Sequence, residues 1–371
     1  MEFKIGIDKI EAELVKKKLT EFYGKNYWGA DDKFFEWMYF KNPNKSLLCD
    51  KDKYSFLIFK DKNEILALDS FYCEIIIYRN KKYLAIWDIE WNNFSNIKGL
   101  GSQLVQKMHI LCDVYLGYGY NSLSYKSFKK LDCNFIEEIE RYVLIFEPDI
   151  LKDILNIPKN SEYYDFYKFS ANNIKLVDNI NYIKISDISK IENKYYIDYL
   201  SRFEMAINKN VDYINWRYLS HPYIEYDIIS TDTNGKCGIA VVRKEFIKNY
   251  KYCVVRILDF FPTFGNEKKL LGGIINYCQK QKAILVDFFC VSQKIKEKID
   301  MFPFLPLTKH RQFFIPRLFQ PLEIRERQSI NFVYKILNKE IENSAINDLY
   351  ATKGDGDQDI KVNREYQTVS L

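Results

Sequence analysis

Two short segments carry the same uncommon pattern, and together they restrict the chain to a duplicated architecture. Trp37-Met38-Tyr39-Phe40-Lys41-Asn42-Pro43 and Trp216-Arg217-Tyr218-Leu219-Ser220-His221-Pro222 both read Trp-x-Tyr-x-x-x-Pro, with an aromatic residue, Phe34 or Tyr213, just upstream. The chain has only five tryptophans and nine prolines, so coincidence is a poor explanation. The flanking patterns repeat as well. Residues 254–261 (VVRILDFF) parallel 83–90, which sets Asp259 opposite Asp88. The spacing then predicts a helix over 268–279, a strand over 283–291 and a short helix over 294–301. The period is roughly 175 residues, meaning two copies of one fold in tandem. A length of 371 residues also suits two domains better than one. The expected division is a first unit over 1–148 closed by Pro148, a connector over 149–195, a degenerate second copy over 196–320, and a C-terminal helix and tail over 321–371.

The richest chemistry lies in 83–116. Residues 83–91 are apolar, aromatic and β-branched, end at Asn92-Asn93, and read as a buried strand. A polar loop follows and ends in Lys98-Gly99-Leu100-Gly101, after which Leu104, Val105, Met108 and Leu111 recur at helical spacing. Two glycines at a helix start let backbone N–H groups approach an anion, which the helix N-terminus also favours. Lys98 adds a mobile cation. The prediction is a phosphate or pyrophosphate site; the spacing is neither that of a P-loop nor of a dinucleotide fingerprint. Asp88 and Glu90 alternate with Trp87 and Ile89, which places both carboxylates on one strand face. Carboxylates among aromatic rings have raised pKa values and can accept an amine proton, or they order the sheet.

The loop Asn96-Ile97-Lys98-Gly99-Leu100-Gly101 resembles the Arg/Gln-x-x-Gly-x-Gly/Ala signature of GNAT acyl-CoA N-acyltransferases, with Asn96 in the first place. The chain as a whole is similar to the tandem GNAT acyltransferases of bacterial surface-polysaccharide pathways. That resemblance rests on the loop, the two Trp-x-Tyr segments, Leu258-Asp259-Phe260, and the tail Thr352-Lys353-Gly354-Asp355-Gly356-Asp357-Gln358-Asp359. It implies an α/β (layered α+β) fold of two tandem GNAT-like domains, each a mixed, mostly antiparallel sheet flanked by helices. The implied reaction moves an acyl group from acetyl-CoA or a longer acyl-CoA to the primary amine of a nucleotide-linked amino sugar. A dTDP-linked 3-amino-3,6-dideoxyhexose for O-antigen or capsule is the type of acceptor suggested. Attack is direct, through a tetrahedral intermediate.

By the same resemblance, amides of Ile89 and Trp91 hold the pantetheine arm and polarise the thioester, and Lys98, Gly99, Leu100, Gly101 and Ser102 take the pyrophosphate. Asp88 and Glu90 are the candidate bases. Related enzymes protonate the thiolate with a tyrosine from the next short helix; Phe128 holds that place here, which leaves Tyr125 as candidate. The acceptor is expected between the copies, against Trp37, Tyr39, Arg217 and Asp259, although paired Trp-x-Tyr segments also suit fold-specifying core. The tail is expected to fold back over the acceptor site, with 360–371 disordered. The second copy lacks the Gly-x-Gly and carries Glu267 in its loop, so one acyl-CoA per chain is expected.

Composition narrows the partners. Net charge is +5, with no basic block, which argues against a nucleic-acid footprint. No apolar run approaches the roughly 18–20 residues of a membrane span. Eight scattered cysteines without a C-x-x-C pair, and three histidines, give no zinc pattern. The Asp355, Asp357, Asp359 run resembles a calcium loop but lacks its later Glu, so no metal is expected. Free buried thiols and a charged N-terminus suit a cytoplasmic protein. Two alternatives stay open: an aminoacyl-tRNA-dependent peptidyl transferase of tandem GNAT-like type, and a non-catalytic ligand-binding tandem.

Overall fold

A computed structural model describes residues 1–247, 250–319, 322–323 and 329–359. Strand β1 (Glu2–Ile7) stops at Asp8, whose carboxylate accepts the Glu11 N–H while Glu11 reaches back to the Asp8 N–H. This capping box starts α1 (Lys9–Tyr23), which buries Ala12, Val15 and Leu19. Asp31 caps α2 (Asp32–Tyr39) in the same way through the Phe34 N–H. An antiparallel meander follows: β2 (Tyr54–Asp61), β3 (Glu64–Tyr78) and β4 (Lys81–Asn93). The chain then runs through α3 (Leu100–Leu111), β5 (Val114–Tyr118), α4 (Ser122–Lys130), β6 (Asn134–Ile136) and β7 (Glu140–Ile145).

Helices α5 (Pro148–Ile154) and α6 (Glu162–Asn173) lead to β8 (Ile183–Lys184), α7 (Tyr199–Arg202), β9 (Met205–Ile207) and α8 (Val211–Ile214). The second copy continues through β10 (Tyr226–Ser230), β11 (Gly238–Phe246), β12 (Cys253–Pro262), α9 (Glu267–Lys280), β13 (Ala283–Cys290) and α10 (Ile295–Lys298). Short strands close it: β14 (Leu305–Pro306), β15 (Leu318–Phe319), β16 (Leu322–Glu323), β17 (Phe332–Ile336) and β18 (Leu349–Tyr350). Among the described residues after 321 the only helical element is a 3-10 turn, Asn343–Asp348, and not the expected C-terminal helix.

Among the described residues two large sheets exchange strands, and β15 with β16 forms a separate two-stranded ribbon. The first runs β1-β2-β3-β4-β5-β17-β6, with β9 beside β3 and β18 beside β9; the second runs β14-β7-β13-β12-β11-β10-β8. Strand β7 of the first half therefore lies inside the second sheet, and β17 of the second half lies inside the first. The expected boundary at Pro148 follows the chain but does not separate the sheets.

The repeat sits at the centre. Trp37 and Trp216 stack with ring centroids 5.6 Å apart, and each indole N–H donates to the other's carbonyl, at 2.7 and 2.9 Å. One large apolar cluster runs continuously through both copies. Among the described residues no helix is long and apolar enough to cross a membrane, and the eight cysteines are unpaired.

Candidate active site

The central sheet of the first copy opens where β4 and β5 part. They pair in parallel only from Ala85–Val114 to Asp88–Gly117, and β4 continues to Asn93 while β5 ends at Tyr118. Among the described residues no strand takes that edge of β4 beyond Asp88. At the same point the ladder with β3 slips: Phe71 faces Asp88 and Ser70 faces Glu90, which leaves Ile89 as a bulge. A wedge between parallel strands, with a bulged peptide at its apex, presents backbone donors to an extended ligand.

At the wide end lies the glycine loop. Asn93 closes it, donating to the Ile97 carbonyl at 2.9 Å and accepting from the Ser95 N–H. Gly99 has φ +86°, a conformation that side chains rarely adopt, and starts α3 without any side-chain cap. Lys98 and Gly99 are exposed and Ser102 is half-buried, whereas Leu100 is wholly buried. Gly101 is needed for space: a Cβ there would overlap the indole of Trp91, which lies against the helix start and Phe128. The first-turn N–H groups of a twelve-residue helix are thus offered to an anion at the wedge mouth.

The bulge also changes the expected placement of the two carboxylates. They do not share a face, because the extra residue turns Glu90 over relative to Asp88. Glu90 faces α1 and α2, where it accepts from Tyr27 Oη at 2.5 Å and from Asn92 Nδ2 at 3.1 Å. Burial, and then the Glu90 charge, push the Tyr27 phenol well up. Asp88 is half-buried and faces α3 and α4, where Tyr115 Oη donates to it. Burial raises its pKa to about 6. Behind it is a residue that sequence reasoning passed over, Asp69 of β3, fully buried. In the sequence Asp69 is one of three carboxylates in β3, with Glu64 and Glu74, and nothing local sets it apart.

Tyr125 packs its ring between Tyr120 and Phe135, at 5.8 and 4.6 Å, on the outer side of α4. Phe128, one turn on, is the residue that points toward Trp91 and Tyr115.

The four residues expected to hold the acceptor are enclosed instead. Trp37 and Tyr39 are buried in the central stack. Arg217 donates to the carbonyls of Gly354 and Gly356 at 2.6 and 2.8 Å. Asp259 accepts from Lys209 Nζ and Tyr218 Oη, both at 2.5 Å. Arg217 and Asp259 both bind the tail, the latter through Thr352 Oγ1, and the tail is buried and not a surface flap. Asp355 bonds Lys209 at 2.7 Å and Tyr213 Oη at 2.5 Å, and Asp359 pairs with Arg243 at 3.2 Å. Residues 360–371, expected to be disordered, lie outside the described residues.

The tail also explains the second copy. There β12 and β13 pair as far as Ile257–Phe288 and then part, with a matching bulge at Leu258. The bulges align Leu258 with Ile89, so Asp259 corresponds to Glu90, not to Asp88 as the sequence alignment sets it. The gap is already filled. Phe260 exchanges backbone bonds with Tyr350 Oη at 3.1 and 3.0 Å, the Val291 N–H donates to the Ala351 carbonyl at 2.8 Å, and Thr352 bridges Cys290. Glu267 is taken by Arg202 at 2.6 Å.

No family model matches the chain, and no curated protein matches it by sequence. Solved structures do share its fold. A GCN5-related N-acetyltransferase from Anabaena variabilis superposes with TM-score 0.55 at 8% identity, over 91% of this chain and 73% of its own. A probable N-acyltransferase from Enterococcus faecalis gives 0.54 at 8%, with the same coverage. Saccharomyces cerevisiae N-myristoyltransferase, with bound myristoyl-CoA, gives 0.51 at 12%, over 90% and 82%. The fold is that of the GNAT-type N-acyltransferases.

Proposed function

We propose that the protein is an acyl-CoA-dependent N-acyltransferase with one cofactor site, in the first copy. The observation that carries this is the β4–β5 wedge, with its bulge at Ile89 and its mouth at the uncapped N-terminus of α3. The pyrophosphate takes the loop Lys98–Ser102, the pantetheine arm runs along Ile89–Trp91, and a bulge amide polarises the thioester carbonyl. Acyl-CoA on a neighbour of the same fold supports this use, for an acetyl or a longer chain.

Glu90 is the base in this reading. It lies on the α1–α2 side of the bulge, with Tyr27 and Asn92 fixing one oxygen, and takes the proton as nitrogen attacks. The acceptor we propose is a primary amine, of the nucleotide-linked amino sugar class. The support for that class is the sequence resemblance alone, since Trp37, Tyr39, Arg217 and Asp259 have protein partners. A cytoplasmic site of action goes with acyl-CoA as donor.

The test is thermal stabilisation by acetyl-CoA and desulfo-CoA, with Lys98→Glu and Gly99→Glu as controls. Mass action predicts a rise of about 2.7 kcal/mol at a hundredfold excess over Kd. Gly101 is a poor control because its substitution disturbs Trp91 packing. A shift in the wild type that both controls lose supports the site, and no shift at millimolar ligand removes the reading. Thiol release with dTDP-amino sugars, other amines and amino-terminal peptides then identifies the acceptor.

A further inference from the structure

The α3–α4 side of the bulge holds an acid that the sequence does not announce. Asp69 and Asp88 come from adjacent strands, β3 and β4, and face the same way as Phe71 and Tyr115. Among the described residues no other group's N–H or O–H reaches either oxygen of Asp69; burial and then the neighbouring Asp88 charge push Asp69 well up, while Asp69 in turn lowers Asp88. Neither carboxyl is ion-paired among the described residues. Two carboxylates in contact, one of them wholly buried, cannot both ionise at neutral pH, so a bond between them requires a shared proton.

The groups facing the pair do not supply a compensating cation. Tyr115 on β5 donates to Asp88, and Glu90 on β4 and Asp357 of the tail add negative charge nearby. His109 of α3 stacks edge-on to Tyr115 at 4.8 Å, and burial holds it neutral with a pKa of about 4. The Cys133 thiol lies 3.8 Å from His109 Nε2, and burial pushes it up to about 12. Lys335 of β17 acts on His109 and Cys133, and its ammonium donates to the Leu131 carbonyl.

We propose that the Asp69–Asp88 pair is the general acid of the transfer, with Asp88 as the residue that hands on the shared proton and buried Asp69 as the positioning residue that holds that proton against it. This rests on the acyltransferase reading above. Asp88 is the partly exposed member and stands where β4 and β5 part, on the side of Phe128. When the tetrahedral intermediate collapses, the C–S bond breaks and its electrons leave on sulfur. The shared proton passes from Asp88 Oδ to that sulfur, giving the free thiol of CoA. The amine proton has gone to Glu90 on the other face. The pair, briefly doubly ionised, regains a proton from solvent through Asp88. Base and acid thus lie on opposite faces of one strand because the bulge turns the strand over.

Two measurements test this on the full-length protein. Difference infrared spectroscopy against pH should show a protonated carboxyl that persists above pH 6, disappears in Asp69→Asn, and shifts in frequency in Asp88→Asn, where buried Asp69 keeps its proton but loses its partner. Thiol release from acetyl-CoA with hydroxylamine as the probe amine gives the kinetic arm. There, D69N should move the alkaline limb of kcat/KM down by about one pH unit, because Asp88 alone cannot retain the proton that the pair shares. D88N should lower kcat by ~100-fold or more, while acetyl-CoA still raises the thermal midpoint of both variants. A carboxyl band untouched by either substitution overturns the proposal, as does an unmoved alkaline limb in an active D69N enzyme. Failure of acetyl-CoA to bind the wild type would instead overturn the cofactor reading, and the infrared result would still decide whether the pair shares a proton.

Discussion

At the scale of single residues, burial decides what each candidate side chain does. Asp88 illustrates the sign of the effect. Its pKa in the fold, about 6, lies above the ordinary aspartate value of about 3.9. The fold therefore prefers the protonated form, and stability present below pH 4 is lost as pH rises through 6. Asp88→Asn should match the wild type near pH 4 and exceed it at pH 8 by about 1–2 kcal/mol, discounted for the solvent that reaches this carboxyl. Urea denaturation at the two pH values checks this; an equal gap at both would count against a shared proton. Gly101 gives a second test, through space instead of charge. Alanine there meets the Trp91 indole, so Gly101→Ala should cost about 1–3 kcal/mol, and a Trp91→Ala background should recover most of it. The step from loop to helix at Gly99 was legible in the sequence because apolar residues recur at helical spacing only beyond it. Asp69 was not, because nothing in LALDSF says which carboxylate stands behind it across the ladder.

At the scale of elements, two features account for most of the distance between sequence and structure. The first is the bulge. Strand alternation places Asp88 and Glu90 together, and one unpaired residue, Ile89, separates them. No local pattern marks a bulge, since it arises from register against β3. The second is the tail. Its Asp-Gly-Asp pattern reads as solvated or metal-binding in isolation, yet Lys209, Arg217 and Arg243 await it more than a hundred residues upstream. The capped starts of α1 at Asp8 and α2 at Asp31 and the strand-loop-helix of the first copy are set by local sequence alone. The tail also carries a charge with a pH signature. Burial, and then the Arg256 charge, lower Lys353 to about 7, and its ammonium lies 3.9 Å from Asp359. A depressed lysine contributes stability above its ordinary pKa of about 10.4 that is lost as pH falls through 7. Lys353→Met should therefore be more stable than the wild type at pH 6, by about 1–3 kcal/mol, with the gap closing toward pH 10. A gap that widened with pH would mean that the lysine is paired in its charged form.

At the scale of the whole molecule, the duplication and the strand exchange pull in opposite directions. A tandem of two copies ordinarily implies two units that unfold one after the other. Here β7 is hydrogen-bonded between β13 and β14 of the second sheet, and β17 lies between β5 and β6 of the first. The central indoles bond across the repeat, and the tail fills the wedge of the second copy before it ends against the first. Neither sheet is complete without residues from the other half. A fragment over 1–148 would lack β17, exposing the partner edges of β5 and β6, and would carry β7 with no sheet to join. We therefore expect one cooperative thermal transition with equal calorimetric and van't Hoff enthalpies, in spite of the repeat. The isolated fragment should be unfolded by circular dichroism and hydrogen exchange, and co-expression of 1–148 with 149–371 should restore a folded, co-purifying pair. Two resolved transitions, or a folded 1–148 fragment, would show that the exchanged strands decorate two independent domains. The cofactor wedge would then owe nothing to the second copy, whereas a single transition makes the duplicated half the scaffold without which the wedge does not form.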